Sequence, residues 1–117
     1  MLPAIHSGLS GVRAFERKVD VAARNVANAA TPGYEKLRAV HAEGGGGGVA
    51  SHLERLPTPG AVVPGLDAEG APPVPVSNVD LAGETVEMLL GQRGYEANLQ
   101  TIRTADQMLG TLLDVKR

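Results

Sequence analysis

Cysteine and tryptophan are absent from this chain, and among its 117 residues phenylalanine occurs once and tyrosine twice. Without cysteine there is no disulfide framework and no thiolate zinc site. With so few aromatic side chains, and much of the 43% hydrophobic content supplied by alanine, a thick globular core would be poorly filled. A basic excess is lacking too: the net charge is -2 and the pI about 5.9, which argues against a nucleic-acid surface. No apolar run approaches the ~18 residues of a membrane span. The N-terminus has no basic region followed by an apolar core, so no cleaved signal peptide is expected.

Chemistry-bearing spacings are equally scarce. His6, His41 and His52 have no partner at i, i+4 and read as surface histidines rather than ligands. The Gly44–Gly48 run has no following Lys-Ser/Thr, which excludes a phosphate loop. Glu84 and Glu87 share a helix face near its N-terminus, where they suit the helix dipole better than acid–base work. No nucleophile–base pair and no metal spacing stands out, so no enzyme, cofactor or metal is expected.

What is present is helix. Residues 77–117 contain no proline. Asp80 is a good N-cap, and Lys116 and Arg117 sit where cations suit the negative end of the dipole, so a helix is expected from Leu81 to Asp114. Met88, Tyr95, Ile102 and Leu109 recur every seven residues, alternating with Thr85, Gln92, Leu99, Asp106 and Leu113. Such a stripe requires a partner surface. A first helix is expected from Pro3 to Ala30, with Ile5, Val12, Val19 and Val26 seven apart and Leu2, Leu9, Glu16, Ala23 and Ala30 between them. Gly8 and Gly11 weaken its start, which is expected to fray. Thr31-Pro32-Gly33 ends it, and Pro32-Gly33 fits the centre of a type II turn leading to Tyr34.

Residues 35–76 differ in kind, holding the five-glycine run and six of the eight prolines. Val49–Leu56 and Ala61–Val63 are the candidate strands of a small hairpin turning at Pro57–Gly60, with the glycines as a flexible joint. Residues 1–34 carry net +2 and residues 77–117 net -2, which favours packing the helical arms together. The seams place Val19 and Ile102 as a candidate contact pair. The expectation is a mainly α chain: residues 1–34 and 77–117 form one structural domain of paired, coiled-coil-like helices, and residues 35–76 form a short Gly/Pro-rich segment with room for a β-hairpin. Gly83, Gly91, Gly94 and Gly110 within one helix imply either a weak helix or close approach of neighbouring helices.

Two stretches carry a resemblance. Val19-Asp-Val-Ala-Ala-Arg-Asn-Val-Ala-Asn-Ala-Ala-Thr-Pro-Gly-Tyr34 resembles the N-terminal signature of bacterial flagellar axial proteins, the rod, hook and hook-associated family. Ser77–Leu81, Gln92–Asn98 and Thr104–Leu109 resemble their C-terminal signature. Arg24 departs from the pattern, standing where relatives commonly carry a second asparagine. The resemblance implies paired terminal helices lining a tube, with a variable middle. Because the middle is short, the chain looks most like a small proximal-rod protein of the FlgC type.

The resemblance further implies a structural subunit that polymerises with itself and other rod proteins in the basal body, within the periplasmic space. It implies delivery by the flagellar export apparatus, no nucleic acid and no direct membrane insertion. A helical adaptor that binds axial proteins without joining the axis is the alternative. The expected subunit-interaction residues are Val19, Asn25, Val26, Asn28, Pro32, Gly33 and Tyr34 in the first arm. In the second they are Asn78, Asp80, Leu81, Met88, Tyr95, Asn98, Leu99, Ile102, Leu109 and Leu113. For Asn25 and Asn28 the resemblance favours hydrogen bonds to a neighbouring subunit or to the turn. For Tyr95 core packing is the default.

Overall fold

The computed structural model describes residues 2–63 and 73–115. Two helices dominate, α1 (Leu2–Ala27) and α2 (Leu81–Val115). Between them lie strands β1 (Leu37–Gly44) and β2 (Gly48–Arg55), then the two-residue strands β3 (Val62–Val63) and β4 (Val74–Pro75). The molecule is a rod of 83 × 24 × 15 Å.

The helices start and stop where local chemistry dictates. Asp80 caps α2, its carboxylate accepting from Ala82 N at 3.2 Å and Gly83 N at 3.2 Å, while its carbonyl accepts from Glu84 N at 2.9 Å. At the other end α2 reaches Val115; Lys116 and Arg117 lie outside the described residues. Helix α1 ends at Ala27, one turn short of expectation. There Asn28 turns its side chain back, donating Nδ2–H to Arg24 O at 2.9 Å and so satisfying a last-turn carbonyl. The chain then reverses at Thr31–Tyr34. Gly33 has φ +70°, and Tyr34 N donates to Thr31 O at 3.2 Å, as a type II turn requires. Helix α1 is helical from Leu2, and Gly8 and Gly11, expected to weaken its start, are buried against α2.

The helices run antiparallel, with Gly8 facing Ile102, Gly11 facing Asn98, Phe15 facing Gly94 and Val19 facing Gly91. The contact pair is thus Val19 with Gly91 and Ile102 with Gly8, rather than Val19 with Ile102. Half of the expected α2 seam points inward, since Met88, Ile102 and Leu109 are half-buried; Tyr95 in the same register is exposed rather than packed in the core, because the small Gly91 and Gly94 take the inner positions beside it. The other half is displaced by one residue. Thr85, Gln92, Asp106 and Leu113 are exposed, and the inner positions are Glu84, Gly91, Asn98 and Ala105, also seven apart. A Cβ at Gly94 would overlap the Phe15 ring, and one at Gly91 would lie 2.6 Å from Val19 Cγ2. Close approach through glycine, rather than interdigitated leucines, sets the spacing here. The buried apolar core is correspondingly slim: Val12, Ala14, Val21, Ala22 and Ala105.

The hairpin differs from expectation in its partner. Val49–Leu56 does contain a strand, but β2 pairs antiparallel with β1, from Leu37↔Arg55 to Gly44↔Gly48. The glycine run is the tip of this hairpin rather than a joint: Gly46 and Gly47 take φ +91° and +83°, values that disfavour any side chain. Val62 and Val63 instead pair with Pro75 and Val74. The ribbon lies along α1 with its tip near the helix N-terminus. Val49 N donates to Ser10 Oγ at 3.0 Å and Arg17 donates to Ser51 O at 3.1 Å.

Candidate functional site

At the opposite end, where α1 stops, the hairpin opens and α2 begins, buried polar side chains tie the three elements together. Asn25 is the centre of this clamp. It is 1% exposed, in the last full turn of α1. Its Nδ2 donates to Leu37 O at 2.8 Å and to Glu84 Oε2 at 3.0 Å. Its Oδ1 accepts from Leu37 N at 2.9 Å and from the Tyr34 hydroxyl at 3.1 Å. An asparagine amide has two donors and two acceptor lone pairs, so its capacity is filled inside the chain. A buried amide with all four satisfied is a strong positional constraint, because losing it strands several polar groups.

A second asparagine closes the other side of the hairpin base. Asn78 Oδ1 accepts from Lys36 N at 2.7 Å, and its Nδ2 donates to Leu56 O at 3.0 Å and Thr58 O at 2.6 Å. Lys36 O in turn accepts from Leu56 N at 3.0 Å, continuing the ladder past the strands. Glu84 is 6% exposed on the inner face of α2. Its charge is met by Lys36 Nζ at 3.8 Å and by the Asn25 amide. One turn on, Glu87 pairs with Lys18 across the helices. The clamp therefore joins α1, the Pro-Gly turn, the hairpin base and the α2 N-terminus through side chains contributed by each.

Under the hairpin, His41 packs on the Phe15 ring with centroids 6.2 Å apart, and its Nδ1 lies 2.8 Å from Ser51 Oγ. It is half-buried rather than a surface histidine, and its buried Nε2 has no partner among the described residues. Burial first, then the nearby Lys18 and Arg17 charges, holds its pKa below the ordinary histidine value. On the opposite face, α1 and α2 enclose a groove walled by Val19, Ala23, Met88, Leu89 and Tyr95. No group of three His, Asp or Glu side chains among the described residues is placed to hold a metal.

Comparison with known families places both arms. Residues 5–34 match the family described as flagella basal body rod protein, and residues 75–115 match the flagellar basal body rod FlgEFG protein C-terminal family. The chain belongs to the flagellar rod and hook axial proteins. Over 67 residues it is 43% identical to the flagellar hook protein FlgE of Salmonella typhimurium, covering 57% of this chain and 16% of the relative. It is 52% identical over 40 residues to FlgE of Escherichia coli, covering 34% of this chain and 10% of the relative. With the flagellar basal-body rod protein FlgG of Bacillus subtilis it shares 45% over 42 residues, 36% of this chain and 16% of the relative. The chain thus spans about a sixth or less of the length of these relatives.

The clamp sits where the two axial-family segments meet. Asn25 and Tyr34 belong to the first, Asn78 and Glu84 to the second. Of the two roles anticipated for Asn25 and Asn28, the structure realises the bond to the turn: Asn25 is spent on Tyr34, Leu37 and Glu84, and Asn28 on the helix end. Asn98 likewise faces inward, donating to Gly94 O at 2.7 Å and packing on Gly11. Val19 and Ile102 are in the helix–helix contact, Met88 and Leu99 are half-buried, and Tyr95 walls the groove. Pro32, Gly33, Asp80, Val26, Leu81 and Leu113 are exposed, and Leu109 is half-buried on the distal part of α2. Sequence reasoning missed Lys36 and the buried role of Glu84. The available signal was Glu84 standing seven residues before Gly91 and fourteen before Asn98, a stripe without a single large apolar residue.

Proposed function

We propose that this chain is a structural subunit of the bacterial flagellar basal-body rod, polymerising through its terminal helices and contributing to flagellum-dependent motility. The observation that carries this is the clamp. It uses residues of both matched segments to hold the terminal helices as one antiparallel unit, leaving apolar positions of α2 uncovered for neighbours. The short segment between the arms supports a proximal position in the rod. On this reading its neighbours are copies of itself and other rod proteins, in the periplasmic part of the basal body, and the flagellar export apparatus delivers it. The exposed Val26, Leu81 and Leu113, with the half-buried Leu109, are the subunit contacts, whereas Asn25 and Asn78 act indirectly by fixing the helix ends.

The test is composition. Basal bodies purified through detergent and high salt should retain the chain, as quantified by mass spectrometry. Its removal by that wash would instead identify an adaptor that visits the axis without joining it.

A further inference from the structure

The hairpin is fastened to the helices in different ways at its two ends. At its base, buried Asn25 bonds both backbone groups of Leu37, and Asn78 holds Lys36 N and Leu56 O. Toward the tip the hold is thin. Val49 N donates to Ser10 Oγ and Arg17 donates to Ser51 O, both in exposed surroundings. Val49 and Leu53 share the ribbon face of Ser51, yet they are 39% and 47% exposed. Little apolar burial secures this half, so opening it requires far less than unfolding the chain.

One histidine sits in that thin half, between the ribbon and α1. His41 stands opposite Ser51 in the strand register, bonds Ser51 Oγ through Nδ1 and packs on the Phe15 ring. Its Nε2 is buried and has no partner among the described residues. A neutral imidazole leaves only an unused lone pair or N–H there. An imidazolium carries N–H on both nitrogens, and so buries a charged donor with no acceptor. The surrounding charges oppose that proton or are already matched. From α1 come two cations, Arg17 and Lys18. From α2, Glu84 and Glu87 line the same cleft, but Glu84 is held by Asn25 and Lys36, and Glu87 by Lys18. The hairpin adds Arg38 and Glu54, cross-strand partners of opposite sign, and the exposed Glu43.

We infer that the hairpin is an acid-released strap: protonation of His41 frees its tip half from α1 while the base stays fastened by Asn25 and Asn78. Release bares Ala14, now 4% exposed and set between Ser10 and Arg17 on the same helix face, together with the Arg17 guanidinium. It grows as pH falls through the ordinary histidine value of about 6.5, toward the lower value of the latched state. The strap is a property of the free chain and holds whatever the chain assembles with.

Because the chain has no cysteine, an introduced pair takes spin labels uniquely. Nitroxides at Gly45→Cys on the tip, where a Cβ meets nothing within 4 Å, and at the exposed Thr101→Cys on α2 report the tip-to-helix distance by pulsed electron paramagnetic resonance. A second pair at the exposed Ala27→Cys and Gln100→Cys reports the helices alone. Near neutral pH the first pair should give one short distance. As pH falls through the histidine range a longer distance should grow in, following a one-proton curve, while the second pair stays unchanged. With His41→Gln added, the short distance should persist throughout. An unchanged first pair, both pairs broadening together, or equal acid opening in the His41→Gln chain would each overturn the inference. If His41→Gln opens the strap already at neutral pH, the curve of the unmodified chain decides. A midpoint in the histidine range supports the strap, and one down in the carboxylate range of about 4 assigns the opening to glutamates and overturns it.

Discussion

At one end of the helix pair, Asn25, Asn78 and Glu84 are satisfied inside the chain, and α1, the hairpin and α2 meet in a network of directional bonds. At the other end, the last two turns of α2, its distal extension, present Leu112, Leu113 and Val115 at 60%, 72% and 78% exposure. The two regions belong to the same short, slim molecule, so the contrast is not one of overall stability. The clamp end spends its polar groups on defining how two distant chain segments meet. On the proposed subunit reading, the free end keeps its apolar groups for a neighbour. A subunit built this way separates folding from assembly: substitutions at the clamp should act on the monomer, and substitutions at the extension on the polymer.

The largest expected effect is at the clamp. Asn25→Ala removes the partner of Leu37, Tyr34 and Glu84 together, and should destabilise the isolated chain by on the order of 3 kcal/mol. Urea titration followed by circular dichroism measures it. A loss below about 0.5 kcal/mol would erase the distinction between the two ends.

Next comes the glycine contact between them. Gly91→Ala gains up to about 1 kcal/mol of helix propensity, yet its Cβ would lie 2.6 Å from Val19 Cγ2. Overpacking of about 1–3 kcal/mol should win, giving a net loss in the same titration.

The hairpin gives a pH handle on the clamped side. The fold keeps His41 neutral, with its pKa lowered by burial and by Lys18 and Arg17. Because the unfolded chain binds the proton more readily, the stabilisation is complete above the ordinary histidine value of about 6.5. It is lost as pH falls through that value toward the lower folded one. His41→Gln should remove this part of the acid sensitivity, read as the change in midpoint between neutral and mildly acidic buffer.

Smaller still, and opposite in sign, Gly110→Ala should stabilise by up to about 1 kcal/mol, since nothing lies within 4 Å of a Cβ there. Leu113→Ala on the extension should change monomer stability by less than about 0.5 kcal/mol, as substitutions at exposed positions do.

What the sequence revealed follows the same division. Locally encoded features were legible: the Asp80 cap, the Pro32-Gly33 turn and the existence of both helices depend on a few adjacent residues. The apolar half of the α2 seam, Met88 and Ile102, was legible because large side chains carry the periodic signal. Its other half was not, because Glu84, Gly91, Asn98 and Ala105 have small or polar side chains whose burial depends on what α1 places opposite. The hairpin partner was missed for a related reason. Five glycines look flexible in isolation, but a tip with two left-handed residues demands glycine, and only the pairing of β1 with β2 shows that a tip is there. Asn25 was singled out, but its three partner residues are spread from Tyr34 to Glu84 and have no common local signature.

Hydrogen exchange on the free chain and on assembled rods tests the division between folding and assembly most directly. In the free chain the Leu37 amide, held by buried Asn25, should exchange slowly, while amides from Met108 to Val115 exchange fast. On assembly the Leu37 amide should change little, and the Met108–Val115 amides should become strongly protected. Protection of the extension already in the free chain, or its continued fast exchange in the rod, would contradict the account.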